Sequence, residues 1–430
     1  MSESRTVTVA LSAGGPTTVR RRLASLGIPA IAAIYALSAG ICCVLAATGH
    51  AKFTDLHVYR MGGEAALHGA NLYHLSFAGL PFTYPPFAAV VFAASAVPPW
   101  AVAATLLTAG SVIALPLMLY LALRLLPVAS WLDRRDAWRL ALAMAAAGIW
   151  LEPVRTTLGY GQVDLFLAAA VLYDLSLPDT SRRKGMAIGL AAGFKLTPAI
   201  FVLYLLITRR YRAAATAAAV FAATVIAGFA VMPGSSAHYW DATFLNPGRV
   251  SPVQNEENQS LLGALSRTLH TPRVGAPWLI LAIVVALAGL ALAARAQRRG
   301  DEALGFSLCA VTGLLISPIS WTHHWVIAVP ALLLAALALY RDQNRKPLTR
   351  ILGMAAIGAL AVIGWTRLAR EVPGSHWLHL SALGIIDSEV YVLAGLVALA
   401  LAACPVVFVR PFKPGPKADL MITRLPLIAP

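Results

Sequence analysis

Residues 274–294, "VGAPWLILAIVVALAGLALAA", run for 21 positions without a charge. About 20 apolar residues are what an α-helix needs to cross a bilayer. In hydrocarbon every backbone N–H and C=O must be satisfied internally, which leaves helices or a closed β-barrel as the spanning structures. A barrel would alternate in segments of roughly ten residues, and the chain shows no such alternation. A second charge-free stretch fills residues 65–123. Only 12% of the 430 residues are charged and 59% are hydrophobic, where a soluble domain carries about 25% charged residues. The sequence predicts an all-α polytopic membrane protein.

The net charge of +15 reads as topology. Basic residues come in short groups beside apolar runs: Arg20-Arg21-Arg22, Arg134-Arg135, Arg182-Arg183-Lys184, Arg209-Arg210-Arg212, Arg295-Arg298-Arg299, Arg341-Arg345-Lys346-Arg350 and Arg410-Lys413-Lys417. Cytoplasmic loops carry such an excess of Lys and Arg. The groups lack the interleaved aromatics that stack bases, so no nucleic-acid partner is expected. Residues 1–22 read as a cytoplasmic polar tail, 23–410 as one transmembrane domain and 411–430 as a second cytoplasmic tail. The segment after the first tail is too long for a signal-peptide core, which predicts a retained first helix. Cys42, Cys43, Cys309 and Cys404 lie inside apolar runs without metal-ligand spacing.

Between the basic groups lie 48–83, 152–162, 233–273, 318–325 and 368–387, rich in Trp, Tyr, His, Asn, Gln and Pro. The positive-inside pattern places all five outside a plasma membrane, with both termini cytoplasmic. Residues 185–208 start and end at basic groups but are too short to cross twice. With Lys195 three residues before Pro198, a broken or re-entrant hairpin is expected there. The count is about ten full spans plus one or two broken helices.

Asp55 and Glu64 are the only acids besides Glu3 in the first 132 residues. They lie in "TDLHVYRMGGEAALHGANLY" (54–73), too polar to span. Its Leu56, Val58, Tyr59, Ala66 and Leu67 predict a helix in the membrane interface, in the first outer loop. An aspartate at the mouth of an apolar cavity has a raised pKa and becomes a better general base. The alternative is that Asp55 only N-caps the helix. Glu64 stands about 14 Å further along a continuous helix, too far to share a reaction centre. "YPPF" (84–87) reads as a rigid helix entry. "LEPVRTTLGYGQVDLFL" (151–167) brings Glu152, Arg155, Gln162 and Asp164 to the outer ends of two helices, where a polar helix cap is the plain alternative. The amides of Asn258 and Gln259, in "NQSLLG", are groups that hydrogen-bond sugar hydroxyls, although amides also populate plain turns. "WTHHW" (321–325) sets His323 and His324 in a short outer turn, either as incidental interfacial residues or as groups that hold a phosphate or tune a nearby acid. Arg367 and Lys195 are further candidate phosphate cations. Walker A, GxGxxG and GxSxG motifs are absent.

Taken in order, "TDLHVYRMGGEAALHGANLY", "YPPF", "GQVDLFL", "FKLTP", "NQSLLG" and "WTHHW" resemble glycosyltransferase family 87. The resemblance implies the multi-helix GT-C glycosyltransferase fold and an α-1,2-mannosyltransferase. It implies a polyprenyl-phosphate-mannose donor, a mannosylated phosphatidylinositol acceptor and surrounding membrane lipids as partners. The family's essential aspartate falls on Asp55, in an inverting transfer. No acidic DxD motif stands in an outer loop, so no cofactor is expected, with a divalent metal left open. Alternatives are transferases that branch lipomannan, transferases of a lipid-linked pentose, and, from another class, a secondary transporter. A transporter should show an internal repeat and mid-membrane polar residues, and neither is evident.

Overall fold

Long apolar runs become long helices wherever proline does not interrupt them. The computed structural model describes residues 27–48, 53–126, 133–241, 243–341, 377–380 and 382–404. The two expected tails, 1–22 and 411–430, fall outside the described residues, as does Arg367. Helix α1 (Ile28–Thr48) is followed by α2 (Thr54–His68). A minimal antiparallel hairpin comes next, β1 (Ser76–Phe77) against β2 (Leu80–Pro81), with Ser76 opposite Pro81. Helices α3 (Pro86–Ala96) and α4 (Trp100–Arg124) flank Pro98-Pro99. Then come α5 (Arg134–Gly148), α6 (Glu152–Tyr160), α7 (Asp164–Ser176), α8 (Met186–Phe194), α9 (Ile200–Ile207), α10 (Tyr211–Val231) and α11 (Pro233–Asp241). Helices α12 (Leu261–Thr268), α13 (Ala276–Arg298), α14 (Glu302–Ile316), α15 (Val329–Arg341), α16 (Ala382–Ser388) and α17 (Val390–Ala403) complete the described set.

Among the described residues four helices, α1, α4, α10 and α13, are long and apolar enough to cross a membrane. The most hydrophobic stretch of α13 has a mean hydropathy of 2.5, yet only 22% of it is buried. Leu279, Ile280, Ile283, Val284 and Leu287 point outward, an arrangement stable against lipid and costly against water. Small residues set the contacts inside, because lipid offers no hydrophobic drive between helices. A Cβ at Gly289 would strike the Thr312 side chain, and one at Gly189 the Ala217 carbonyl.

Helices α6 and α7 together form a fifth candidate span, bent by 119° at their break. Among the described residues the long helices alone do not confirm a count of ten spans. The remaining apolar chain is divided into shorter helices over 86–96, 197–207, 302–316, 322–337 and 390–403. The expected break in 185–208 is present. Helix α8 ends at Phe194, Lys195 is extended (φ −145, ψ 128), and Thr197–Ala199 forms a 3-10 turn containing Pro198.

The two largest of three apolar clusters among the described residues organise the interior. The larger joins α4, α5, α7, α9 and α14 through residues such as Leu119, Ala141, Leu172, Phe201 and Phe306. The smaller packs Leu56, Val58 and Tyr59 of α2 on Phe82, Ala88, Ala89 and Phe92. The apolar face of α2 is thus divided: these three residues enter the protein interior, while Leu67 is exposed.

Candidate active site

The start of α2 is held by backbone geometry rather than by a capping side chain. Phe53, at the N-cap, sits in the left-handed region (φ 55, ψ 35) and offers no side-chain cap. Its N–H donates to the Gly159 carbonyl at 2.8 Å, tying α2 to the end of α6. Gly161 ends α6 at φ 70, with the Leu56 and Phe53 side chains 3.0 Å from where its Cβ would lie. A side chain there would suffer both strain and crowding. The turn brings Gln162 over the first turn of α2. Asp55 is therefore inside the helix, not at its cap, and its Oδ2 accepts from Gln162 Nε2 at 2.5 Å.

Tyr59 follows Asp55 by one helical turn and shares its face. Gln162 Oε1 accepts from the Tyr59 hydroxyl and from the Tyr84 hydroxyl, the latter at 2.9 Å. The two hydroxyls are 2.8 Å apart, and the Tyr59 ring stacks on Phe92 at 4.1 Å. With its oxygen engaged by two phenols, the Gln162 amide has its NH₂ directed at Asp55. Burial pushes the Asp55 carboxyl up to about 6, while the Gln162 bond and the Lys195 charge pull it down and the Asp164 charge pushes it up. Glu64, the rival carboxylate, is exposed.

The facing wall comes from the broken hairpin and the "WTHHW" turn. Lys195 Nζ pairs with Asp164 Oδ1 at 2.6 Å, at the first position of α7. His323 and His324 stand at the start of a 3-10 turn, Thr322–Ala328, with rings 4.7 Å apart and nearly perpendicular. His323 is 4% exposed. Burial, reinforced by the Lys195 charge, holds both imidazoles well below their usual pKa and therefore neutral. Among the described residues neither His323 nitrogen, nor His324 Nδ1, nor Asp164 Oδ2 has a hydrogen-bond partner.

A cavity of about 350 Å³ separates the walls and is lined by Asp55, Tyr59, Tyr84, Tyr160, Gln162, Lys195, Glu257, His323 and His324. An apolar recess with Leu167, Phe201, Leu314 and Ile327 on its walls adjoins it at Lys195 and His324. The structure thus brings together Asp55, Tyr59, Gln162, Lys195, His323 and His324.

The structure places Asn258 and Gln259 away from the cavity. Both are fully buried and neither lines the cavity. Asn258 Nδ2 donates to the Val253 and Pro318 carbonyls, and its Oδ1 accepts from Ser320 N–H. Gln259 Nε2 donates to the Glu256 and Ser388 carbonyls, and its Oε1 accepts from Tyr391 N–H. Their amides bond loop backbone. Four residues given no substrate role from sequence also face this region: Tyr84, Asp164, Tyr160 and Glu257. For Asp164 the usable signal was an acid one helix end away from a lysine flanking a predicted helix break.

Known proteins match this chain over most of its length. The model of glycosyltransferase family 87 matches residues 82–318, more than half of the chain. The polyprenol-phosphate-mannose-dependent alpha-(1-2)-phosphatidylinositol mannoside mannosyltransferase of Mycobacterium tuberculosis is 33% identical over 396 residues, 86% of this chain and 91% of that protein. The polyprenol-phosphate-mannose-dependent alpha-(1-2)-phosphatidylinositol pentamannoside mannosyltransferase of Mycolicibacterium smegmatis is 37% identical over 338 residues, 76% of this chain and 77% of that protein. No solved structure matches the chain. By the family match and by these relatives, the chain belongs to glycosyltransferase family 87.

Proposed function

We propose that the protein transfers mannose from polyprenyl-phosphate mannose to the 2-hydroxyl of a mannosylated phosphatidylinositol, making an α-1,2 linkage in phosphatidylinositol mannoside synthesis. The names of the relatives support the donor and the acceptor class. We read the cavity as opening to the outer face of the plasma membrane, with the shorter apolar helices supplying the remaining crossings of a GT-C fold. In this reading α2 lies along the outer interface.

The observation that carries the proposal is one cavity with a weakly acidic carboxyl on one wall and a Lys–His–His cluster on the other. Asp55 takes the proton of the acceptor hydroxyl as its oxygen attacks the anomeric carbon. The bond from that carbon to the phosphate oxygen breaks on the opposite side, and its electron pair leaves with the lipid phosphate. Single displacement converts a β-linked donor into an α-linked product. The leaving group is a phosphate that gains one negative charge, so a strong general acid is unnecessary. Lys195, His323 and His324 face that charge, with Arg367 as a further candidate. Tyr59, Tyr84 and Gln162 fix the carboxylate's direction.

The test is incubation of the purified protein in lipid with labelled polyprenyl-phosphate mannose and a mannosylated phosphatidylinositol. A labelled lipid one mannose larger, cleaved by an α-1,2-mannosidase, is the expected outcome. Label appearing only in water-soluble mannose, or only in a lipid-linked polymer, would refute the proposed acceptor.

A further inference from the structure

Three carboxylates stand around the cavity and its recess, from Asp55, Glu257 and Asp164, with Lys195 as the single charged cation among the described lining residues. A phosphate anion entering this surround meets excess negative charge, and in a poorly hydrated site that repulsion is weakly screened. The surplus is concentrated where side chains are also unsatisfied. One oxygen or nitrogen from each of Asp164, His323 and His324 lies within 4.8 Å of the other two. Asp164 and His323 are more than nine-tenths buried. Asp164 Oδ2, both His323 nitrogens and His324 Nδ1 lack partners among the described residues. Orphaned buried polar atoms are rare and call for a ligand or a cost.

We propose that Asp164, His323 and His324 bind a divalent cation of the Mn²⁺ or Zn²⁺ type, through which the cavity holds the donor phosphate. The proposal rests on the mannosyl-transfer reading and deepens it. Two imidazoles and a carboxylate form a mixed nitrogen–oxygen set that favours such ions over Mg²⁺ or Ca²⁺. Three protein ligands leave coordination positions open for phosphate oxygens. The 4.8 Å spread exceeds twice a metal–nitrogen bond of about 2.1 Å, so the rings turn inward slightly on binding. Adjacent histidines achieve convergence because their rings are perpendicular rather than splayed along a strand. Asp164 keeps Oδ1 on Lys195 and offers Oδ2 to the ion. When the glycosidic C–O bond breaks, the electron pair arriving on phosphate falls beside this dication.

Lys195 makes the test discriminating, because it competes with the cation for Asp164. The full chain in lipid nanodiscs, stripped with chelator, is dialysed to equilibrium against Mn²⁺ or Zn²⁺ and its bound metal counted. One ion per chain is expected, with affinity weakened roughly tenfold or more in Asp164→Asn and in the His323→Ala/His324→Ala double variant. Lys195→Met is expected to bind the ion more tightly, whereas a direct Lys195–phosphate site would simply lose donor affinity. The absence of stoichiometric metal in the unmodified chain, or equal binding by all variants, overturns the cation site. Undiminished mannosyl transfer by chelated, metal-free protein also overturns it while leaving the transferase reading standing. Stoichiometric, variant-sensitive binding by a protein that fails to transfer mannose keeps the cation site and defeats the transferase reading.

Discussion

At Asp55 stability and reactivity pull in opposite directions. Its carboxyl is raised from 3.8 to about 6, chiefly by burial. A group with a raised folded pKa contributes its full stability below the unfolded value and loses it as pH climbs through the folded one. Ionised Asp55 therefore destabilises the neutral-pH protein by an amount of order 3 kcal/mol. Asp55→Asn keeps an acceptor for Gln162 and removes the charge, so the variant should melt at a higher temperature than the parent at pH 7.5. Its mannosyl transfer should fall by about 10²- to 10⁴-fold, the usual worth of general-base catalysis. In the unmodified protein the rate should rise with pH through about 6 and level off above it. Gln162→Leu removes a bond that lowers the Asp55 pKa, so that inflection should move to higher pH. An unshifted profile, or an Asn variant near full rate, would show that the carboxylate only shapes the cavity. Asp55 was legible in the sequence because it is a rare acid between two apolar runs. Its partners Tyr84 and Asp164 were less so: a tyrosine before two prolines and an acid at a helix start have ordinary structural roles, and only the tertiary contact decides.

Among the elements, the broken hairpin was the most readable, because a lysine followed by proline cannot continue a buried helix. The division of α2 was less readable. Its apolar residues give a correct face, but Gly62-Gly63 reveals what that face meets. A Cβ on Gly63 would strike the Phe92 carbonyl, and one on Gly62 the Phe82 ring. Close backbone approach, rather than lipid, selects those glycines. Amide direction was illegible: a polar loop says nothing about whether Asn258 points to a sugar or to the loop itself. Asn258 closes a short antiparallel contact with Trp321, beside the His323–His324 turn. Asn258→Ala strips Ser320 N–H of its acceptor and the Val253 carbonyl of its side-chain donor, while the Pro318 carbonyl keeps Ser260. The expected loss is about 1–3 kcal/mol of stability, read as a lower melting temperature, with the donor KM of the folded fraction little changed. A large rise in donor KM without loss of stability would return Asn258 to the binding site.

At the scale of the whole molecule, the loop before α12 is joined to the last described helices by a buried ion pair. Arg267, on α12 and fully buried, donates to both carboxylate oxygens of Glu389, at 2.5 and 2.7 Å. The same guanidinium holds the carbonyls of Asn255 and Asn258, the stretch that carries Glu257 into the cavity. Gln259 bonds Ser388 and Tyr391, and the Tyr391 hydroxyl donates to Glu152 at 2.6 Å. Residues 388–391 are therefore bolted to both α6 and the loop, more than a hundred residues away in sequence. Nothing in the local pattern around Arg267 or Glu389 announces this, because each looks like an ordinary loop charge until the chain is folded. Removing one partner of a buried pair leaves an uncompensated charge and costs about 3–5 kcal/mol. Arg267→Ala and Glu389→Ala should each destabilise on that scale, and the double variant should cost less than their sum, since neither charge is then stranded. The pH inflection of transfer should stay near 6 in all three variants, because Asp55 keeps its own surroundings while only the fraction of folded protein falls. Strict additivity in the melting data, or a displaced inflection, would mean that the pair acts on the reaction centre instead of holding the loop against the C-terminal helices.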